Sequence, residues 1–217
     1  MIPKRFIRIG WDNKPMPPIF ERWWREFQAM HPTWEFVTLH DADALQMMPS
    51  EFVDMCRNCS CYAARSDIMR YVAVWKLGGV YVDTNVMPIK PMDVLLTDPR
   101  PFAAKRSSTS FESAVFGSPA FHPALADLLK AFPAWYYKYQ GRAASVQTGP
   151  AFFSSVMFGR SDVRHLPAKT FYPYNGFMAP KRDQKISIFL DKKNFPPEML
   201  CAHFSNNRWG GKPKTSK

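Results

Sequence analysis

With 217 residues, 46% of them hydrophobic and 15% aromatic, the chain has enough apolar material for one buried core and no low-complexity block, which excludes a disordered polymer and argues against a second independent domain. No uninterrupted apolar run reaches transmembrane length, and the mixed basic stretch at residues 1–10 lacks the pattern of a signal peptide, so a cytoplasmic location without a transmembrane segment is expected. Lys and Arg outnumber Asp and Glu by 29 to 18, a balance that favours anionic partners such as nucleotide phosphates, nucleic acid or a membrane surface.

In chain order, KRFIRIGW (residues 4–11) alternates apolar and basic side chains and breaks at Asp12-Asn13-Lys14-Pro15, which predicts a first strand ending in a loop. Beyond Pro17-Pro18, Ile19, Trp23, Phe27 and Met30 recur at helical spacing until His31-Pro32 stops them. WEFVTLH reads as a second strand, with Asp41 placed to cap DADALQMM and Ser50 to cap EFVDMCRN. CYAARSDIMRYVAVWKLGG carries the strongest helical pattern, with Ala64, Ile68, Tyr71, Val72 and Trp75 on one face and Gly78-Gly79 ending it. VYVD follows at once as an apolar strand. PFAAK and ESAVFGS read as strands, and FHPALADLLKAFPAWYYKYQ as a helix interrupted at Pro133. QTGPAFFSSVMFG reads as a turn entering a helix, VRHLP as a strand, FYPYNGF as a loop and MLCAHFS as a final strand carrying His203.

Strands alternating with helices predict an α/β fold, a sheet with helices on both faces, whose ligands collect at the carboxyl ends of the strands. Trp11 and Asp83 fall at such ends. In GGVYVDTN, Tyr81, Asp83 and Asn85 share one side if the strand persists, and oxygen ligands of that kind suit Mg²⁺ or Mn²⁺, which take the rest of their shell from substrate phosphates. Asp67 and Arg70 lie three apart on the preceding helix, hence on neighbouring positions of one side. Cys56, Cys59, Cys61 and Cys201 lack the paired spacing of a structural zinc site, so free thiols are expected.

IPKRFIRIGW, AARSDIMRY, GGVYVDTN, TGPAFF and AHFSNNRW together resemble the sugar-transferase segments of glycosyltransferases with a DXD motif, the family of yeast mannosyltransferases and bacterial capsule or lipopolysaccharide transferases. The catalytic domains of the large clostridial glucosylating toxins share that layout. The resemblance implies a GT-A fold, Rossmann-like and nucleotide-binding, with a mixed central sheet flanked by helices. It also implies transfer of a sugar from a UDP- or GDP-sugar, with retention and metal assistance, to a saccharide or envelope glycan. Carried over by position, Trp11 stacks on the donor base, Asp67 and Arg70 hold the donor sugar and its phosphates, and Tyr81 flanks the nucleotide. Asp83 touches ribose and metal, His203 joins the metal site, and Asn207 and Trp209 belong to a loop closing on the diphosphate. The family has a second Asp where this chain has Asn85, which removes one charge and implies weaker, phosphate-dependent metal binding.

Glu112, at the start of the apolar segment ESAVFG, is the acid singled out as a general base, alongside Asp83, Asn85 and Arg70 as catalytic residues. The expected organisation is one transferase domain over residues 1–210 and a basic flexible tail over 211–217. Nine Lys or Arg against three Asp or Glu in residues 181–217 leave two further readings open: glycosylation of a nucleic-acid base and a peripheral membrane contact. The loss of the second acid leaves open a third, a degenerate module that binds nucleotide sugars without turning them over.

Overall fold

The computed structural model describes residues 1–10, 15–172 and 195–204. The alternating start forms β1 (Arg5–Ile9), and the aromatic repeat after the double proline forms α1 (Pro18–Met30), whose buried stripe is Trp23, Trp24 and Phe27. Then come β2 (Glu35–Leu39), α2 (Asp41–Gln46), α3 (Ser50–Arg57) and α4 (Tyr62–Leu77). The second half contributes β3 (Gly79–Val82), β4 (Val86–Pro88), β5 (Phe102–Ser107), β6 (Ser110–Ser118) and α5 (Pro123–Lys138). It continues through α6 (Ala144–Gln147), α7 (Pro150–Met157), β7 (Arg164–Leu166) and β8 (Cys201–His203).

Six strands form a mixed sheet in the order β2-β1-β3-β6-β5-β7. β1 is parallel to β2 and β3, β6 runs antiparallel to β3 and β5, and β7 is parallel to β5. The expected α/β architecture, a mixed sheet with helices on both faces, is what forms. On one face Ile7, Tyr81 and Phe116 pack under α4, α5 and α7 with Tyr71, Phe132, Phe152 and Phe153. On the other, Phe6, Val80, Val82 and Val115 meet Trp24 and Phe27 of α1.

α4 is the central helix: every residue from Ser66 to Val74 is buried. A helix enclosed on all sides must satisfy its polar side chains internally, and Ser66, Asp67 and Arg70 fall in that stretch. Gly78-Gly79 lets it turn straight into β3. Gly78 has φ 63° and Gly79 φ 120°, and a Cβ would lie 2.6 Å from the Ala120 nitrogen at the first and 2.6 Å from the Arg5 carbonyl oxygen at the second.

Several local expectations are corrected. α2 is capped by His40 rather than Asp41, the His40 N–H donating to the Asp43 carboxylate at 3.2 Å, while Asp41 pairs with Arg65. Ser50 is the first helical residue of α3, and Pro49 stands at its cap. α5 runs unbroken through Pro133, because Phe132 and Tyr136 on either side of it are anchored in the core. β3 stops at Val82: Asp83, Thr84 and Asn85 form a turn closed by the Val86 N–H on the Asp83 carbonyl, so the strand-like alternation expected of Tyr81, Asp83 and Asn85 does not continue. The final strand β8 pairs antiparallel with β4 in a separate two-stranded sheet, setting Val86 opposite His203.

Candidate functional site

The site is built at the carboxyl end of β3, where α4 passes closest. Arg70 sits there with its side chain 7% exposed, and Nη2 lies 3.1 Å from the Asp67 carboxylate and 3.1 Å from that of Asp83. Its Nη1 donates to the Ser113 carbonyl at 3.0 Å, its Nε to the Ser66 carbonyl at 3.3 Å, and its carbon lies 4.7 Å from the centre of the Tyr81 ring. Burial alone would lower its pKa, but Asp83, Tyr81 and Asp67 together raise it, so the guanidinium stays charged. The donors of Arg70 thus all have partners within the protein, while the residue itself borders the cleft described below. Their work is to hold Asp83.

Two further segments support that ion cluster. The Thr148 hydroxyl donates to Asp67 at 2.8 Å, and the buried Tyr71 hydroxyl donates to the Thr148 carbonyl at 2.9 Å. Burial pushes the Asp67 carboxyl up, against the pull of Arg70 and Thr148. The next residue must be small, since a Cβ on Gly149 would lie 3.1 Å from the Asp67 carboxylate. On the opposite side β6 bulges: Ala103 pairs with Phe116 but Lys105 pairs with Phe111, so residues 112–115 face a single residue of β5. That bulge turns the Ser113 carbonyl to Arg70 and the Ala114 carbonyl to the Asp83 N–H at 2.9 Å. It also seats Glu112 in the interior, its Oε1 accepting the Ser113 N–H at 3.1 Å and its Oε2 4.0 Å from Arg106. Burial raises the Glu112 pKa to about 7, with Ser113 and Arg106 opposing.

Asp83 is the member of the cluster with an open side. Its Oδ1 takes the Tyr81 hydroxyl at 2.6 Å, and its Oδ2 lies 3.7 Å from Nε2 of His203 on β8. Burial lowers the His203 pKa against the pull of Asp83, leaving a neutral imidazole at pH 7. Asn85 is fixed by its Nδ2 donating to the Phe204 carbonyl at 2.6 Å, so its amide oxygen is the atom left for a ligand. A carboxylate, an imidazole and an amide oxygen fit a divalent cation that completes its shell with phosphate and water. Among the described residues no three His, Cys, Asp or Glu side chains converge, so the set fits only such an open site.

Between this cluster, the end of β1 and the start of α4 lies a cleft of about 100 Å³, lined by Ile9, Phe20, Tyr62, Ser66, Asp83 and Thr84 among others. Arg70, Tyr81 and Asn85 also border it. Asp67, Arg70, Tyr81, Asp83, Asn85, Glu112 and His203 are therefore brought together from five separate elements and turns. Trp11, Asn207, Trp209 and the basic tail 211–217 lie outside the described residues, as does most of the basic segment on which the nucleic-acid and membrane readings rest. Ser66, Tyr62, Ser113 and Thr148 were not singled out from the sequence. Thr148, Ser66 and Ser113 nonetheless lie in the quoted segments TGPAFF, AARSDIMRY and ESAVFG. The four cysteines are free thiols, as expected.

Residues 20–101 match the model of the family described as glycosyltransferase sugar-binding region containing DXD motif. Inositol phosphoceramide mannosyltransferase 3 of Schizosaccharomyces pombe is 26% identical over 192 residues, covering 85% of this chain and 52% of its own. The chain spans about half the length of the curated relatives it matches. Among solved structures, the PaToxG glycosyltransferase superposes with a TM-score of 0.62 at 14% identity over 72% of this chain and 69% of its own. The UDP-bound glycosyltransferase domain from the YGT toxin gives 0.56 at 10% identity over 76% and 79%. Residues 20–101 are thus similar to a glycosyltransferase sugar-binding region, and the chain has a GT-A fold.

Proposed function

We propose that the chain transfers a sugar, with retention, from a UDP- or GDP-sugar to a saccharide or glycan acceptor, assisted by Mn²⁺ or Mg²⁺. The observation that carries this reading is the buried Arg70 shared by Asp67 and Asp83 with Asp83 open to the cleft. One guanidinium against two carboxylates leaves a formal negative charge, the sign that draws a metal cation and not a bare diphosphate. Asp83, His203 and the Asn85 amide oxygen are the groups that would hold the cation. When bound, it supplies neutralisation of the charge that develops on the departing diphosphate.

Arg70 and the Tyr81 hydroxyl keep the Asp83 carboxylate in one orientation, so that no reorganisation is needed as charge develops. Phe20, Tyr62 and Ile9 supply the walls against which the nucleotide lies. The acceptor oxygen bonds to the anomeric carbon on the face from which the diphosphate departs, as retention requires, while Glu112 takes the proton of the acceptor hydroxyl. The bond from the anomeric carbon to phosphate breaks, and the nucleoside diphosphate leaves with its electron pair. A carboxyl whose pKa is about 7 is suited to exchanging that proton near neutrality. The names of the curated relatives favour a mannosyl donor and a lipid-linked acceptor.

The test is a thermal-shift panel of UDP, GDP and their common sugars with and without Mn²⁺, followed by an assay of donor hydrolysis. A ligand that binds only the native state raises the melting temperature. The expected result is a shift with one base, enlarged by Mn²⁺, together with slow donor hydrolysis. A flat panel at millimolar ligand would overturn the reading, and a shift without hydrolysis would reduce it to a binding module.

A further inference from the structure

A single exposed apolar side chain needs no explanation, but Phe121 carries a second peculiarity. Its ring is 62% exposed while its backbone stands at φ 55°, a conformation that Gly enters freely and a bulky side chain rarely adopts. The Phe121 N–H donates to the Trp75 carbonyl at 2.7 Å, and the Trp75 ring meets the Phe121 ring edge-on with centres 5.1 Å apart. The fold thus holds a large apolar ring under backbone strain and then leaves it in water. Strain kept at such a position points to a role outside the core.

Phe121 lies at the edge of the sheet opposite the cleft. α4 runs from Tyr62, in the cleft wall, toward Trp75 beside Phe121. β1, β3, β5 and β7 begin at this edge, and β6 ends there at Ser118. A Cβ on Gly78 would lie 2.6 Å from the Ala120 nitrogen and 2.9 Å from Pro3 Cδ, so the residue before Phe121 stands close to Pro3. From there Lys4 reaches Asp93 at 3.4 Å, and the neighbouring Val94 is 60% exposed. Phe121, the half-buried Pro3 and Pro119, and Val94 therefore share one edge, and the prolines have no side-chain freedom to lose on contact.

Charge decides what such an edge can meet. The chain carries a net charge of +11, so two copies repel each other wherever basic surface faces basic surface. Along this edge the signs are matched: Lys4 lies 3.4 Å from Asp93, Arg5 2.6 Å from Glu35 and Arg100 2.6 Å from Asp98. A polyanion or an anionic membrane is drawn to unmatched cations, and these have acids beside them. A second copy related by a two-fold axis brings the same apolar residues and both signs of charge, which is the self-complementarity that an isologous contact requires.

We propose that this edge is an interaction surface for a second copy of the chain, giving a two-fold dimer with Phe121 at its centre and the two clefts facing outward at the far ends. The inference is independent of what the cleft binds. It is tested by sedimentation velocity on the full chain from about 1 to about 100 µM. The parent is expected to pass from monomer to dimer over that range. Phe121→Gly removes the ring and relieves the backbone, and Val94→Glu places a charge on the apolar edge. Each is expected to raise the dissociation constant about tenfold or more, with melting temperatures at the lowest concentration reporting on folding. Tyr137→Ser, at an aromatic of α5 that is 56% exposed, is expected to leave the dissociation constant unchanged. A parent that stays monomeric throughout, or a dimer that either edge variant leaves intact, would overturn the surface. Equal weakening by Tyr137→Ser would show unspecific association through exposed aromatics, and growth beyond the dimer would overturn the closed two-fold contact.

Discussion

Glu112 is held in an environment that favours its protonated form, and that has a measurable cost. Its pKa is raised from 4.5 to about 7 by burial. Between those values the folded chain binds more protons than the unfolded one, so this group lowers stability as pH rises from about 4.5 to about 7. The loss is complete above that range and amounts to at most about 3 kcal/mol, at about 1.4 kcal/mol per unit. Glu112→Gln should therefore melt several degrees above the parent at pH 8 and alongside it at pH 4, as differential scanning calorimetry would show. A variant less stable than the parent at pH 8 would mean that the carboxylate is better solvated than its burial implies. Asp67, Arg70 and Asp83 were legible as chemistry in the sequence because an ionisable residue inside an apolar helix or at an apolar strand's tip is costly to bury without a partner or a ligand. Their supporters were not. Ser113 acts through a carbonyl 43 residues from Arg70, and Thr148 through a hydroxyl 81 residues from Asp67, and neither contribution leaves a pattern along the chain.

At the level of elements, apolar patterning located α1, α4 and every strand of the six-stranded sheet, because β1, β3 and β6 are buried along almost their whole length and the edge strands β2 and β7 are at least partly covered. It misplaced what depends on one or two residues: the cap of α2, the end of β3 and the course of α5 through Pro133. The β3–β4 turn shows why Asn85 is informative in a different way from a metal ligand alone. Its amide N–H reaches the Phe204 carbonyl at 2.6 Å and its own carbonyl receives the Phe204 N–H at 3.0 Å, so one residue clasps the turn to the end of β8. Asn85→Asp replaces that donor with an oxygen facing another oxygen. Measured in the presence of a chelator at pH 7, the variant should lose about 1–3 kcal/mol of stability in urea unfolding. Stability equal to the parent would show that the clasp contributes nothing and would return Asn85 to a role in metal binding alone.

For the molecule as a whole, the sheet separates the two larger apolar clusters of the described residues, one beneath α4, α5 and α7, the other beneath α1. Phe153 belongs to the first and Phe6 to the second. Substitutions in clusters that share no partner add. Phe6→Leu and Phe153→Leu are each expected to cost about 1–2 kcal/mol, and the double variant their sum to within about 0.5 kcal/mol. A coupling well above that would show the sheet transmitting strain from one face to the other. The two-sided α/β architecture was legible because both faces of the sheet write their own apolar periodicity. The second small sheet was not, since β4 and β8 are only three residues each and lie more than a hundred residues apart.

That distance sets an order of assembly. As the polypeptide emerges from a ribosome, Arg70, Asp83 and the bulge that braces them have all been made once β6 ends at Ser118, whereas the imidazole of His203 arrives only with β8. A nascent chain can thus fold its six-stranded sheet while the Asp83 carboxylate still lacks its neighbour, and the last of the described strands to appear is the one that completes the centre.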